Sequence, residues 1–247
     1  MQQEAKNTIM WLTGWGMPNT AFDRLSDLLP EFEHHAADYS KAASVEEFFQ
    51  ITENAAKNLL SANSGKLLIA GWSLGGILAL KLSIQGLADG LILFSATAKF
   101  TRPTEQTDYG WADSYVRRMI RGIGKDRQLT EGKFRQLAFT ELESTLLHPA
   151  GTWTTTALSA GLEVLRLVDC STQLPNINQP ALLVHGTEDK VCPYKAAEEM
   201  LAQLPLATLV SIPDRGHAAF LKNEIWLAES IRSWWHVREK NRDRASI

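Results

Sequence analysis

The residues with the clearest chemistry in this 247-residue chain are Gly71-Trp72-Ser73-Leu74-Gly75. They follow Leu67-Leu68-Ile69-Ala70, an apolar run that predicts a buried strand. They lead into Gly76-Ile77-Leu78-Ala79-Leu80-Lys81-Leu82, whose Ala and Leu content predicts a helix. G-x-S-x-G between a strand and a helix is the pattern of a nucleophile elbow. The glycines belong there because the turn is tight and a side chain would crowd the strand–helix crossing. The same five letters also occur by chance in ordinary loops, so the strand and helix around them carry the argument. A serine hydroxyl is a poor nucleophile at neutral pH and needs a base and an orienting acid.

Behind such an elbow the acid and then the base follow in chain order. His185-Gly186-Thr187-Glu188-Asp189 ends a late strand, and Asp189 is the expected acid. Glu188 is the local alternative, with Asp169 and Asp214 behind it; a loop carboxylate there could equally cap the next helix. Pro213-Asp214-Arg215-Gly216-His217 follows the last predicted strand, and His217 is the expected base. His185 ends a predicted strand and reads as structural, His34, His35, His148 and His236 have no partner in view, and all five are read as non-catalytic. The oxyanion of a tetrahedral intermediate needs two preorganised donors. The backbone N–H of Leu74 is one. The N–H of Trp15, in the turn Gly14-Trp15-Gly16, is the other; its side chain also reads as a core aromatic.

These residues need elements to hold them. Strands are predicted at 8–13, weakly at 33–37, at 67–70, 90–95, 181–185 and 208–212. Helices are predicted at 22–29, from the capping-box pattern at Ser44 through Leu59, at 76–82, 193–204 and 220–240. Alternation of strand and helix implies a parallel sheet. Between about Lys99 and Val168 the signals are helical only, over 111–123, 130–147 and 153–168. The expected organisation is an α/β core of residues 1–98 and 169–247 with a helical cap of residues 99–168. The tail 241–247 is expected to fray.

Composition narrows the function. Hydrophobic residues make up 45% and charged residues 21%, ordinary for a globular protein. A net charge of −3 argues against a nucleic-acid binder. No apolar run reaches membrane-spanning length. Met1 to Lys6 lacks the charged-then-apolar pattern of a signal peptide. Cys170 and Cys192 have no metal or redox spacing and are expected as reduced thiols. The expectation is a monomeric cytoplasmic enzyme with no metal, no cofactor, and no nucleic-acid or membrane partner.

On these residues the chain resembles the α/β-hydrolase family, over nearly its whole length apart from the cap. Within that family it is similar to the BioH-type pimeloyl-acyl carrier protein methyl ester carboxylesterases of biotin synthesis. The similarity rests on Gly14-Trp15-Gly16-Met17, on Gly71-Trp72-Ser73-Leu74-Gly75-Gly76, and on Gly161-Leu162-Glu163-Val164-Leu165-Arg166-Leu167-Val168-Asp169. Two departures stand out, a shorter cap and a missing loop motif. Relatives carry Asp-x-Pro-Gly-x-Gly-x-Ser after the second strand, and here the chain reads Asp38-Tyr39-Ser40-Lys41-Ala42-Ala43-Ser44.

The resemblance implies a serine carboxylesterase acting on a methyl ester of a pimeloyl chain held by acyl carrier protein. It also implies that Trp15, Leu74 and Phe139 touch the substrate. Leu129, Phe134, Leu137 and Phe139 supply an apolar cap lining. A thioesterase, a carbon–carbon bond hydrolase or a non-catalytic binding protein on the same scaffold are the competing readings. Between Arg117 and Arg135 lie seven basic and two acidic residues. Arg117, Arg118 and Arg121 are therefore candidates for docking an acidic carrier, although such a run is often only a solvated face.

Overall fold

The strand ahead of Ser73 lies inside a six-stranded, wholly parallel sheet in the computed structural model, which describes residues 6–147 and 152–245. The elements are β1 (Thr8–Leu12), α1 (Asp23–Asp27), β2 (Glu33–Ala36), α2 (Val45–Ala62), β3 (Leu67–Trp72), α3 (Leu74–Ile84) and β4 (Gly90–Phe94). Then come β5 (Thr101–Arg102), β6 (Trp111–Ala112), α4 (Asp113–Lys125), α5 (Arg127–Ala138), α6 (Glu141–Leu146) and α7 (Thr155–Leu167). The chain closes with β7 (Ala181–Gly186), α8 (Tyr194–Gln203), β8 (Ala207–Ile212) and α9 (Glu224–Ala245).

Strand order is β2-β1-β3-β4-β7-β8. Every residue of β1, β3, β4 and β7 is buried, because helices cover both faces of a parallel sheet. That is why these strands read as continuous apolar runs and the edge strand β2, Glu-His-His-Ala, hardly reads at all. The chain leaves β1 outward to β2 and returns on the other side as β3. This reversal makes a crevice at the carboxyl ends of β1 and β3. Leu12 and Gly71 are register partners there, so the turn after β1 and the turn after β3 are neighbours.

Several expected boundaries moved. The helix expected over 130–147 is two: Phe139 is extended, and a Thr140/Glu143 capping box starts α6. The helix expected over 111–123 starts at Asp113, because Trp111 and Ala112 pair with Thr101 and Arg102. The last helix begins at Glu224 rather than Phe220, since Lys222 has φ +64° and breaks any helix at that point. It runs through the stretch expected to fray, as far as Ala245. The readings placed on Met1 to Ala5, His148, Ser246 and Ile247 lie outside the described residues. Among the described residues no helix is long and apolar enough to cross a membrane.

Candidate active site

Ser73 occupies the sharp turn between β3 and α3 with φ +55° and ψ −113°. A non-glycine residue there carries strain of about 1–3 kcal/mol. Serine at a helix N-cap normally bonds the helix's own amides, but the Ser73 side chain makes no such bond. Its hydroxyl is left for other chemistry. The glycines around it are required by close approach. A Cβ on Gly75 would run into the Leu12 carbonyl, one on Gly71 into the Gly75 carbonyl, and one on Gly76 into the Ala96 methyl.

His217 lies in the loop after β8, buried to 1% exposure. Its Nδ1 stands 2.9 Å from Asp189 Oδ2 and 3.2 Å from Oδ1. Asp189 Oδ1 also accepts from the N–H groups of Val191, at 2.8 Å, and Cys192, at 2.9 Å. Burial pushes the Asp189 carboxyl up, but His217, His185 and the Cys192 N–H together hold it below the usual range. An ionised Asp189 accepts only, so His217 Nδ1 is the donor, and the neutral tautomer of that ring has its lone pair on Nε2. Nε2 is buried and has no hydrogen-bond partner among the described residues. Of the other three carboxylates considered, Glu188 and Asp214 are exposed, and Asp169 pairs with Lys99 at 2.7 Å.

The oxyanion candidates sit in the crevice described above. Trp15 lines one cavity together with Ser73, and Leu74 follows Ser73 directly. Among the described residues neither backbone N–H has an acceptor. The turn around Trp15 is tied down by side chains. Tyr39 Oη donates to the Thr13 carbonyl at 2.6 Å, Trp153 Nε1 to Met17 O at 2.9 Å, and Trp15 Nε1 to Leu158 O at 2.7 Å. Gly161 on α7 lets that helix lie against Trp15 and Leu74, 3.0 and 3.3 Å from where a Cβ would be.

The cavity is lined by Phe100, Trp111, Tyr115, Met119, Phe134, Leu137, Leu162, Leu165 and Val191 besides Trp15 and Ser73. Its free volume is about 10 Å³, roughly the room one water needs. Phe139, expected against the substrate, is not in this lining. The extended backbone ending α5 places it on Trp72, ring centroids 6.1 Å apart, under the Arg135 guanidinium. Leu129 is exposed and faces an outer groove instead. Arg117, Arg118 and Arg121 are exposed on α4. Arg117 pairs with Asp113, and Arg118 lies over the Tyr115 ring.

Three further residues were not singled out by motif. Trp72 Nε1 donates to His217 O at 2.9 Å and so holds the histidine loop; its place beside Ser73 was the available signal. Cys192 has its side chain against the Ser73 hydroxyl. Burial and the Asp189 charge push its thiol far up, so it is no rival nucleophile. His185 Nε2 stands 3.4 Å from Asp189 Oδ2, the oxygen nearest His217 Nδ1. No group of three or more His, Cys, Asp or Glu among the described residues is arranged to hold a metal ion.

Residues 12–229 match the model of the alpha/beta hydrolase family. The pimeloyl-acyl carrier protein methyl ester esterase of Nitrosomonas europaea is 30% identical over 234 residues, covering 86% of this chain and 89% of that one. The protein of the same name from Aromatoleum aromaticum is 28% identical, covering 87% and 92%. An esterase from Exiguobacterium antarcticum superposes with a TM-score of 0.79 at 20% identity, covering 93% of this chain and 92% of the other. The family model and the 30% relative each span most of the chain, and the protein belongs to the alpha/beta hydrolase family.

Proposed function

We propose that this protein is a serine carboxylesterase that removes the methyl group from a short acyl ester, a pimeloyl ester on acyl carrier protein being the favoured substrate. The observation that carries the reading is the state of His217. Asp189 accepts a hydrogen bond from its Nδ1–H, and among the described residues the buried Nε2 has no partner. Nε2 accepts the Ser73 proton as Ser73 Oγ attacks the ester carbonyl. The Trp15 and Leu74 N–H groups hold the oxyanion. His217 then protonates the leaving methanol, activates water against the acyl-enzyme, and returns the proton to Ser73. Residues 99–168 act as the cap that keeps bulk water out of this sequence of steps.

The names of the relatives support the methyl ester and the carrier. The apolar lining supports an aliphatic stem, and the exposed arginines of α4 suit an acidic carrier. A cytoplasmic location is part of the same reading. The test has two arms. A fluorophosphonate probe labels wild type at Ser73, and Ser73→Ala loses labelling and turnover together; full activity in Ser73→Ala would sink the mechanism. The gene restores growth without biotin to a strain lacking its own pimeloyl methyl ester esterase. No rescue by an otherwise active esterase would sink the substrate and leave the reaction.

A further inference from the structure

Asp189 is held by a loop whose own carbonyls are both taken. Val191 and Cys192 give their N–H groups to Asp189 Oδ1. The Val191 carbonyl accepts from Trp111 Nε1 at 2.7 Å. The Cys192 carbonyl accepts from His185 Nε2 at 2.8 Å. A carbonyl cannot donate, so His185 carries its proton on Nε2. That N–H also stands 3.4 Å from Asp189 Oδ2. The His185 ring is 1% exposed. It is the last residue but one of β7, four residues before Asp189, and the Tyr194 ring meets it edge-on at 6.0 Å. Burial holds it below the ordinary imidazole pKa in spite of the nearby carboxylate. Burial thus favours the neutral ring, and the Cys192 carbonyl selects its Nε2–H tautomer.

Cys192 is the joint of this arrangement. Its N–H holds the acid, its carbonyl is held by His185, and its side chain rests on Ser73. We propose that His185 is a positioning residue: through the Cys192 peptide and Asp189 it fixes the carboxylate plane that orients His217. This rests on the reading of Ser73, Asp189 and His217 given above. A buried ring serving only to fill space would need no donor here. This one spends its single N–H on the peptide that grips the acid. The groups facing the ring are Asp189, the Cys192 carbonyl and Tyr194, and His217 shares the Asp189 Oδ2 oxygen with it.

The experiment compares His185→Gln, whose amide N–H reaches the Cys192 carbonyl, with His185→Asn, which is too short, and with His185→Leu. A p-nitrophenyl ester and a fluorophosphonate probe are the substrates, with circular dichroism as the check on folding. The expected result is a kcat loss of about tenfold or more in Asn and Leu, with KM within about twofold of wild type. Ser73 labelling slows in parallel. The acid-side fall of the kcat/KM profile moves to lower pH, because the carboxylate supporting the imidazolium is no longer held. His185→Gln recovers most of the rate and the wild-type profile. If Leu does not fold, the Gln and Asn pair decides. Equal rates in Gln and Asn, or an unmoved pH profile in the impaired variants, would overturn the proposal. Survival of full activity in Ser73→Ala would instead overturn the catalytic reading beneath it.

Discussion

Ser73, His217 and Asp189 show how little of a site is set by residue type alone. Two carboxylates stand side by side after β7, and their neighbours separate them. Glu188 points to solvent, while Asp189 receives two backbone N–H groups and the His217 ring. Asp189→Asn should lower kcat by about 10⁴, since an amide no longer enforces the tautomer with the lone pair on Nε2. Glu188→Gln should stay within about twofold of wild type. Steady-state kinetics on both variants gives the answer, and the reverse pattern would move the role to Glu188. His34 offers a second test at this scale. Its Nδ1 accepts from Trp11 Nε1 at 3.1 Å and its Nε2 meets the Leu29 carbonyl at 2.9 Å. Burial lowers its pKa below 6.5, so the unfolded chain binds more protons than the folded one as pH falls past that value. Stability therefore rises with pH in this window and is lost on acidification. Protonation would also set two donors, Trp11 Nε1 and His34 Nδ1, against each other. His185, lowered by burial as well, acts in the same direction. Tm should drop between about pH 7.5 and about pH 5.5, and His34→Gln should make that drop shallower. An identical slope in the variant would remove His34 from the account.

At the scale of elements, α4 and α5 supply Tyr115, Met119, Phe134 and Leu137 to the wall of the cavity that holds Ser73. The cavity above the serine, about 10 Å³, is too small for an ester. Ser73 itself is 4% exposed. Something must move before substrate enters, as lids do in many enzymes. Tyr115, Met119 and Phe134 line both this cavity and an outer groove of about 460 Å³ between α4 and α5, and so form the wall between them. Phe134 packs edge-on against Trp15 at 5.1 Å, over the oxyanion turn. Phe134→Ala should raise kcat/KM for longer p-nitrophenyl esters by about tenfold relative to the acetate, the range that pocket volume commands. A uniform change across chain lengths would show that this wall does not set the acyl preference.

For the whole molecule, the useful feature is the uneven distribution of charge. The chain is net −3, yet α4 and α5 carry most of one basic cluster. The tertiary contacts sort that cluster. Arg127 is tied to Glu131 and to the Trp153 carbonyl, and Arg117 to Asp113. Arg118, Lys125 and Lys133 line the outer groove, and Arg121 is exposed. Such a face would attract an acidic carrier at long range and raise the association rate more than the final affinity. Arg118→Glu plus Arg121→Glu should lower kcat/KM for a carrier-linked ester by about tenfold at low salt, and salt should narrow the gap. The free methyl ester should be unaffected. Equal losses on both substrates would leave the cluster as ordinary solvated surface.

The sequence by itself determined the chemistry of single positions and the order of elements. Gly71, Gly75 and Gly76 announce a turn with no room for side chains, and the buried strands announce themselves as apolar runs, because both signals are local. Asp189 and His217 could be named from their places after late strands, since this scaffold delivers each part at a strand's carboxyl end. What only the tertiary structure decided is non-local. The order β2-β1-β3-β4-β7-β8 brings the Trp15 turn beside the elbow, and no neighbouring letters encode that adjacency. The break at Phe139 had a local signal in Thr140 and Glu143, but apolar residues at helical spacing on both sides masked it. Phe139 consequently turned to Trp72 and left the cavity wall to Phe134 and Leu137. His185 read as an ordinary core histidine for the same reason. Its partners, the Cys192 carbonyl and the Asp189 carboxylate, come to it only when the loop folds back on the end of β7.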